Sequence, residues 1–266
     1  MTTFAVLKNS NLLSDTGMAN QHGPTFENQL IELESVDSTN NYAMARIHDG
    51  TAKHGQAYLA HAQTSGKGQR GKSWYSEPGQ NLSISLVIQP DILPLTQQFL
   101  FSAAIALGIL DFTKSLEKEN WSVKWPNDIY WNDRKAAGIL IENVIQGQDW
   151  RFAIVGIGLN LNQQSFPPEI PNAVSLAKIT GNQHSVVDTA KLLIPFIQNR
   201  IEVLRKNSRL ILLNLNDNLY KKDKTVNLKK DNTVLNVRIL NINTSGELLT
   251  DQGAFRLGEV EWIVES

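Results

Sequence analysis

Short stretches in which hydrophobic and polar residues alternate run through much of the chain, and such alternation predicts strands with one buried face. The two longest stretches are joined by the polar residues 146–149, which predict a hairpin loop. A second turn is expected at Asn132 and Asp133, between two short apolar runs. The predicted strands are residues 56–63, 81–89, 122–125, 129–131, 137–145 and 150–161.

Helical spacing of apolar residues replaces alternation in four places. The first helix is expected directly after Asp37 or Ser38, because either side chain can cap a helix N-terminus. A long helix is predicted over residues 95–119, where leucines and alanines recur on one face. Two more helices are predicted around residues 186–206 and 208–220.

The composition changes after Tyr220, and this change divides the chain into domains. Residues 221–266 consist of short alternating stretches broken by turn residues, which predicts a small all-β barrel or sandwich. Residues 29–220 mix strands with helices, as in an α+β domain. Residues 1–28 are polar and rich in turns. A loose strand or partial disorder is expected there, and a helix-turn-helix domain does not fit into that length.

Charge and cysteine content exclude several classes of function. The 25 Lys and Arg residues balance 26 Asp and Glu residues, so the chain offers no broad electrostatic field to nucleic acid or an anionic membrane. The absence of cysteine excludes disulfides, thiolate metal sites and a cysteine nucleophile. The first residues do not read as a secretion signal, and the apolar stretch 99–110 is shorter than the ~20 residues that span a bilayer. A soluble cytoplasmic protein is therefore expected.

Residues 66–73 satisfy two nucleotide-binding patterns, the P-loop and the dinucleotide-binding glycine motif. Both motifs require a helix directly after the loop, because the phosphates bind at the helix N-terminus. Here Pro78 and Gly79 follow at once and a strand is predicted next. Asp91 lies at the distance of a ribose-binding acid, but the intervening helix is missing. Both interpretations are therefore rejected.

The glycines in this loop still carry information. Three of them are interleaved with Lys67, Arg70 and Lys72, which predicts a flexible loop whose N–H groups and cations can approach phosphate. The same composition also fits an ordinary solvated hairpin loop. The loop alone does not decide between a binding site and a simple connection.

Two later segments combine residues that suit a ligand site. Residues 124–128 place a lysine, an amide and a carboxylate around a proline turn, and Lys135 follows seven residues after Asp128. In residues 156–162, alternation would put Gly156, Gly158, Asn160 and Asn162 on one strand face. Glycines there admit a flat ligand, and asparagines can bond its polar end. Sheet packing, a turn and a solvated strand end explain the same features without a ligand.

Taken together, these segments resemble the biotin–protein ligase family in its short form, without a DNA-binding domain. The matching segments, in the family's order and spacing, are residues 37–43, 63–74, 124–142 and 156–162. The resemblance implies a central mixed β-sheet flanked by helices, as in class II aminoacyl-tRNA synthetases and lipoyl ligases, with a small SH3-like C-terminal barrel. It also implies ATP-dependent formation of biotinoyl-5′-AMP and pyrophosphate, followed by transfer of biotin to a lysine of a biotin carboxyl carrier domain.

The resemblance also implies roles for individual residues. Lys135 would lie between the biotin carboxylate and the α-phosphate, and Asp128 would orient or deprotonate the acceptor amine. Asn127, Asp128 and Asn160 suit ribose, metal or the incoming lysine, and the sequence does not apportion these roles. Mg²⁺ is expected with ATP, and no residue is assigned as its ligand. The biotin-binding candidates are Ser38, Thr39, Asn40, Gln63, Lys67, Gly68, Gln69, Trp74, Lys135, Gly138, Gly156 and Gly158. The nucleotide-binding candidates are Gln69, Arg70, Trp74, Asn127, Lys135 and Asn160.

The glycine loop departs from the family pattern at two positions. Lys67 replaces an arginine, which keeps the charge but loses the planar fork that grips carboxylate or phosphate. Gln69 replaces a second arginine, which the family uses to hold the adenylate, and so removes a charge. Weaker retention of biotinoyl-5′-AMP is therefore expected.

Three alternative functions share some of these features. They are a lipoate–protein ligase-type acyltransferase with the same fold, a non-catalytic biotin-binding module, and a P-loop kinase. Residues 124–128 and the glycine loop favour biotin over lipoate, and the presence of Lys135 favours an enzyme over a binding module. The expected partner is the carrier domain of a biotin-dependent carboxylase. Neither nucleic acid nor a membrane is expected, and the pattern does not distinguish a monomer from a homodimer.

Overall fold

The computed structural model describes residues 29–90 and 93–263. Within these ranges the chain forms a sheet of seven strands, a sheet of five strands, and helices that pack mainly on the larger sheet. The strands are β1 (Gln29–Val36), β2 (Gln56–Gln63), β3 (Leu82–Ile88), β4 (Trp121–Lys124), β5 (Asp128–Trp131), β6 (Arg134–Gln146), β7 (Asp149–Leu159), β8 (Thr225–Lys230), β9 (Thr233–Ile242), β10 (Leu248–Thr250), β11 (Gly253–Phe255) and β12 (Glu261–Trp262). The α-helices are α1 (Thr39–His48), α2 (Gln98–Leu116), α3 (Leu176–Thr180), α4 (Val186–Lys206) and α5 (Ser208–Asp217). The predictions for residues 1–28 lie outside the described residues.

Most predicted elements are present, and the differences have local reasons. The hydrophobic pattern does not predict β1 or α3. β1 is an edge strand whose side chains are exposed or half-buried, so its alternation is weak. α3 is a short helix defined by its caps, because Ser175 accepts a hydrogen bond from the N–H of Lys178 and Gly181 ends it in a left-handed conformation. β7 and α5 end earlier than predicted, at Leu159 and Asp217.

The larger sheet has the strand order β1-β2-β3-β7-β6-β5-β4. β1 and β2 are parallel, with α1 connecting them, and the other neighbouring pairs are antiparallel. The sheet is therefore mixed and flanked by helices, as the resemblance implies. Its long β6–β7 hairpin is the one predicted from the polar residues 146–149.

One face of this sheet is covered by α2, α4 and α5, and it holds the main hydrophobic core. Phe101, Ile105 and Leu107 of α2 are completely buried. By length and composition the segment Leu95–Leu116 could cross a membrane, yet 67% of its most apolar window is buried inside the protein, as in a core helix. This apolar segment is longer than the stretch 99–110 that the sequence analysis judged too short to span a bilayer. Its burial in the core explains why it is apolar.

Gly108 lets α2 and α4 approach closely. A Cβ atom at this position would lie 2.8 Å from the Cα atom of Ile197 and 3.1 Å from the carbonyl oxygen of Phe196. Because backbone atoms cannot rotate away, Gly108→Ala is expected to lower the free energy of unfolding by about 1–3 kcal/mol, despite alanine's better helix propensity. Urea unfolding measures the change, with Ser102→Ala in the same helix as the control. Unchanged or increased stability of Gly108→Ala would contradict this close crossing.

The opposite face of the sheet carries α1 and a patch of small residues. Ala43 of α1 packs with Tyr58, Val87 and Ile154 in a small second core. Alternation along β3, β6 and β7 brings further residues to the same face, and most of them are glycine or serine. These residues are Ser83, Ser85, Gly138, Gly156 and Gly158. The patch lies beside the N-terminus of α1 and forms the floor of the candidate site.

The five-stranded sheet, in the order β11-β10-β9-β8-β12, is the small C-terminal β-domain that the sequence predicts. It contacts the larger domain at the turn between β4 and β5. The indole N–H of Trp125 in this turn donates a hydrogen bond to the carbonyl oxygen of Gly246 at 2.9 Å. The indole N–H of Trp262 in β12 donates to the carbonyl oxygen of Trp125 at 3.0 Å. The C-terminal domain therefore holds a turn that carries part of the candidate site.

Candidate active site

A single pocket on the α1 face brings together residues that are far apart in the chain. It lies between the N-terminus of α1, the end of β2, the glycine loop, β6 and β7. All twelve residues predicted to bind biotin line it: Ser38, Thr39, Asn40, Gln63, Lys67, Gly68, Gln69, Trp74, Lys135, Gly138, Gly156 and Gly158. Five further residues complete the lining: Ser83, Asn127, Ile139, Leu140 and Ile157.

The floor of the pocket is flat because glycines face each other across β6 and β7. Gly138 and Gly158 are directly paired. A Cβ atom on Gly158 would lie 2.2 Å from the indole ring of Trp74, and one on Gly138 would lie 3.0 Å from it. The indole nitrogen of Trp74 is buried and has no hydrogen-bond partner among the described residues. The glycines therefore let the flat indole ring of Trp74 lie directly against the backbone.

Hydroxyl and amide groups line one end of the pocket. The backbone N–H and the hydroxyl of Thr39 donate to Oε1 of Gln63, at 2.8 and 3.2 Å. The side-chain amide of Asn40 donates to Oε2 of Glu142 at 2.7 Å. The hydroxyl oxygen of Ser85 lies 2.7 Å from Oγ1 of Thr39 and 2.6 Å from Oδ1 of Asn40. These contacts fix the orientation of each polar group that reaches the pocket.

Ser83 lines this end of the pocket, and Ser85 and Glu142 lie behind it, bonded to Thr39 and Asn40; none of the three is predicted from the sequence. The alternation along β3 contains a usable signal, because it places two serines on the same face as the paired glycines. No pattern in the sequence around Glu142 indicates that it lies at the site. Its role depends on Asn40, which lies 102 residues earlier in the chain.

Lys135, one of the two predicted catalytic residues, lines the charged end of the pocket, and Asp128 lies beside it, outside the lining. Nζ of Lys135 lies 2.8 Å from Oδ1 of Asp128 and 5.5 Å from the ring centroid of Trp74. A Cβ on Gly138 would lie 3.2 Å from the same ammonium nitrogen, so the lysine side chain bends over the floor. The side-chain amide of Asn127 donates to the carbonyl oxygen of Ile139 at 2.6 Å. Lys135 therefore points into the pocket rather than into solvent.

The glycine loop folds back on itself as a hairpin. The N–H of Trp74 donates to the carbonyl oxygen of Gly66, and the N–H of Gly68 donates to that of Lys72. A single 3₁₀ turn (Gln69–Gly71) lies at the tip, and the next regular element is strand β3. This arrangement confirms the rejection of the P-loop and dinucleotide interpretations, because no helix follows the loop in this described segment.

Charged residues of the loop lie at the rim of the pocket. The ammonium of Lys67 donates to Oδ1 of Asn41 and lies 4.0 Å from a carboxylate oxygen of Glu142. The amide of Asn41 in turn donates to Asp37, and this hydrogen bond holds the pKa of the Asp37 carboxyl below its ordinary value. Lys67 is thus the cation of the loop that is placed at the pocket itself.

Arg70 and Asn160, both predicted to bind the nucleotide, lie outside the pocket lining. Arg70 adopts a positive φ of 57°, and its guanidinium packs on Gly258 of the C-terminal domain. The amide of Asn160 donates to the carbonyl oxygens of Lys135 and Val174, each at 3.3 Å. β7 ends at Leu159, so the expectation that Asn160 shares a strand face with the paired glycines is wrong. Asn160 instead holds the backbone beside Lys135.

Asn162 also lies beyond the end of β7, so the same expectation is wrong for it. Its side chain bonds the backbone of His184 in both directions, as donor and as acceptor at 2.8 Å. Both asparagines therefore organise the chain that follows β7. Among the described residues, no group of three histidine, aspartate or glutamate side chains is placed to hold a metal ion.

Comparison with known proteins shows which family this chain is similar to. The model of the biotin/lipoate A/B protein ligase family matches residues 32–160. The bifunctional ligase/repressor BirA of Bacillus spizizenii is 35% identical over 158 residues, which cover 58% of this chain and 48% of that protein. The biotin–[acetyl-CoA-carboxylase] ligase of Paracoccus denitrificans is 33% identical over 164 residues, which cover 60% of this chain and 67% of that protein.

The fold has solved counterparts as well. The biotin protein ligase from Aquifex aeolicus, in complex with biotin and ATP, superposes with a TM-score of 0.74 and 24% sequence identity over 89% of this chain and 99% of that chain. The matched region spans about half the length of the bifunctional ligase/repressor relatives. Because one third of the aligned residues are identical over two thirds of the Paracoccus relative, the chain belongs to the biotin–protein ligase family.

Proposed function

We propose that this chain is an ATP-dependent biotin–protein ligase. It forms biotinoyl-5′-AMP and pyrophosphate, and then transfers biotin to a specific lysine of a biotin carboxyl carrier domain. The observation that carries the proposal is the position of Lys135, whose ammonium lies over a glycine floor, paired with Asp128, at the charged end of a pocket with a polar opposite end. The relatives whose names specify biotin ligation support the choice of reaction.

The pocket suits biotin because its two ends differ in chemistry. Biotin has a compact fused ring system with a polar, planar ureido group at one end, an apolar thioether ring beside it and a carboxylate on a flexible chain at the other end. Thr39, Asn40 and Gln63 offer donors and acceptors for the ureido group. Gly138 and Gly158 make room for the Trp74 indole, which offers an apolar surface to the rings, and Lys135 offers a cation to the carboxylate.

In the first step, an oxygen of the biotin carboxylate attacks the α-phosphorus of ATP, and the bond to pyrophosphate breaks. Two anions must meet, so a cation between them lowers the energy of the transition state. Lys135 supplies that charge, and the carboxylate of Asp128 holds its side chain in place at 2.8 Å. Lys67 lies at the rim beside Glu142 and adds a second positive charge to the pocket.

In the second step, the ε-amine of the carrier lysine attacks the acyl carbon, and AMP leaves. The amine must lose a proton to form the amide bond. Asp128 is the only described carboxylate in ion-pair contact with Lys135, and it therefore orients the amine and accepts the proton. If Mg²⁺ were bound with ATP, the carboxylate of Asp128 would be the nearby protein group to hold it, and the ion would neutralise part of the phosphate charge.

The direct test is incubation of the protein with ATP, Mg²⁺, biotin and a carrier domain, followed by intact mass measurement of the carrier. A mass increase equal to one biotinoyl group is expected, and it should vanish when the acceptor lysine is replaced by arginine. Lipoic acid in place of biotin tests the lipoate alternative. No carrier modification and no biotin-dependent pyrophosphate release would overturn the proposed function, and binding without turnover would favour a non-catalytic biotin-binding module.

Because position 69 is a glutamine and not an arginine, we expect this enzyme to release part of its biotinoyl-5′-AMP before transfer. Gln69 lines the pocket but carries no charge, whereas an arginine would add a forked cation beside the adenylate phosphate. Wild-type protein is therefore expected to biotinylate bystander lysines, and Gln69→Arg should reduce this labelling about tenfold. Labelling of serum albumin during turnover measures the release. Lys67→Arg, which changes shape without adding charge, is the matched control, and equally low labelling by wild type and Gln69→Arg would contradict the prediction.

A further inference from the structure

Lys124, the last residue of β4, carries a buried ammonium that the proposed reaction does not use. Only 7% of the residue is exposed. Nζ of Lys124 lies 3.0 Å from the hydroxyl oxygen of Tyr130, to which it donates a hydrogen bond. It also lies 4.6 Å from the ring centroid of Tyr130, 5.3 Å from that of Trp262 and 6.0 Å from that of Tyr220. Three aromatic rings therefore form a cage around this cation.

Burial of the Lys124 ammonium in this cage costs desolvation free energy. Within the described ranges, Lys124 makes a hydrogen bond to a neutral phenol and no ion pair. Burial lowers the pKa of the Lys124 amine to about 8, against the opposing attraction of Asp128. A methionine or leucine would fill the same space without desolvating a charge. The position therefore indicates a role in the site more than a contribution to stability.

Lys124 lies directly behind the catalytic pair. Across the β4–β5 hairpin it is paired with Asp128, and Asp128 in turn contacts Lys135 of β6. The Asp128 carboxylate thus has one ammonium on its β4 side and another on its β6 side. Asp128 attracts the Lys124 ammonium, whereas Lys135 and the more distant Lys72 repel it.

The C-terminal domain supplies one wall of the cage. Trp262 of β12 lies over Lys124, and its indole N–H also donates to the carbonyl oxygen of Trp125, the next residue along the chain. The ring of Trp262 also contacts that of Tyr220, with 5.6 Å between the ring centroids and 57° between the ring planes, and the hydroxyl of Tyr220 donates to Asp133. One tryptophan therefore contacts both the buried cation and the turn that leads to Asp128.

We infer that Lys124 and Trp262 are positioning residues, through which the C-terminal domain holds the Asp128–Lys135 pair in its reactive geometry. Trp262 keeps the Lys124 ammonium in place behind Asp128 and ties down the turn at Trp125. The caged cation then restrains the Asp128 carboxylate from the side opposite Lys135. Neither residue lines the pocket, whereas Lys135 does, so both act through the Asp128–Lys135 ion pair and not on the substrate. This inference rests on the proposed ligase function.

The test separates rate from binding. Lys124→Met removes the charge and keeps the length, and it is expected to lower kcat for biotin-dependent pyrophosphate release about tenfold, with little change in the KM for biotin. Lys124→Arg should recover part of kcat, because it keeps the charge. Trp262→Leu should lower kcat similarly. The double variant Lys124→Met/Trp262→Leu should be no slower than the slower single variant, because both substitutions remove the same restraint on the Asp128 carboxylate.

Exposed Val234→Ala in the same C-terminal domain is the control, and thermal unfolding of each variant shows whether it is folded. If Lys124→Met does not fold, Trp262→Phe keeps a ring over the cation but loses the hydrogen bond to Trp125, and a lower kcat in this folded variant supports the inference. Unchanged kcat in the folded variants, or multiplicative losses in the double variant, would overturn it. Failure of wild-type protein to release pyrophosphate would instead refute the ligase function itself.

Discussion

Replacing Lys135 by alanine is expected to lower biotin-dependent pyrophosphate release by about 10²–10³-fold, equivalent to about 2.7–4 kcal/mol of lost transition-state stabilisation. The ammonium of Lys135 lines the pocket and is held by Asp128 at 2.8 Å. Without it, the biotin carboxylate and the α-phosphate would meet with no cation between them. The measurement is the initial rate of pyrophosphate release at saturating ATP, with kcat and KM for biotin determined separately.

Lys72→Ala is the informative control for this experiment. Lys72 would be the essential lysine of a P-loop, but its side chain is exposed and it follows the tip of a hairpin with no helix behind it. The variant should therefore keep most of its activity. Loss of turnover in Lys72→Ala together with full activity of Lys135→Ala would reverse the assignment of the catalytic lysine.

The second large effect is expected from Gly158→Ala. A methyl group on Gly158 would lie 2.2 Å from the ring of Trp74, so the indole would have to shift from the floor into the space that the ligand needs. Overpacking of this kind costs about 1–3 kcal/mol, so biotin should bind about 10–100-fold more weakly. Isothermal titration calorimetry with biotin measures the affinity directly.

The control for this change lies on the same strand. Val155→Ala, on the opposite face of β7, creates a cavity in the main core and should destabilise the fold by about 2 kcal/mol or more without weakening biotin binding. The two variants thus separate a change in pocket shape from a general loss of stability. Unaltered biotin affinity in Gly158→Ala would show that the glycine floor is not the binding surface.

Much of the fold can be predicted from periodicity along the chain. The β6–β7 hairpin and the helices α2 and α4 follow from local patterns of apolar residues, because each buries one face or one stripe. The edge strand β1 escapes such prediction, since neither of its faces is consistently buried. The same holds for the short helix α3, which depends on its two caps rather than on an apolar stripe.

The residues of the candidate site also include some that the sequence predicts correctly and some that it does not. Lys135, Gly138 and Gly158 can be identified from the sequence because an ordered set of motifs carries them, and strand alternation puts the glycines on one face. For Asn160, strand alternation predicts the wrong direction of the side chain. The strand ends one residue earlier, after which the side chain turns to the backbone of Lys135 and Val174.

By itself, the sequence determined the types of most elements, the presence of a small C-terminal β-domain and most of the residues that line the pocket, because these depend on local periodicity and on the chemistry of short segments. Only the tertiary structure decided which distant groups meet: Glu142 with Asn40, and Trp262 with Lys124. Such contacts join residues roughly a hundred or more positions apart. No local pattern encodes them, since they arise from how the sheet, α1 and the C-terminal domain pack together.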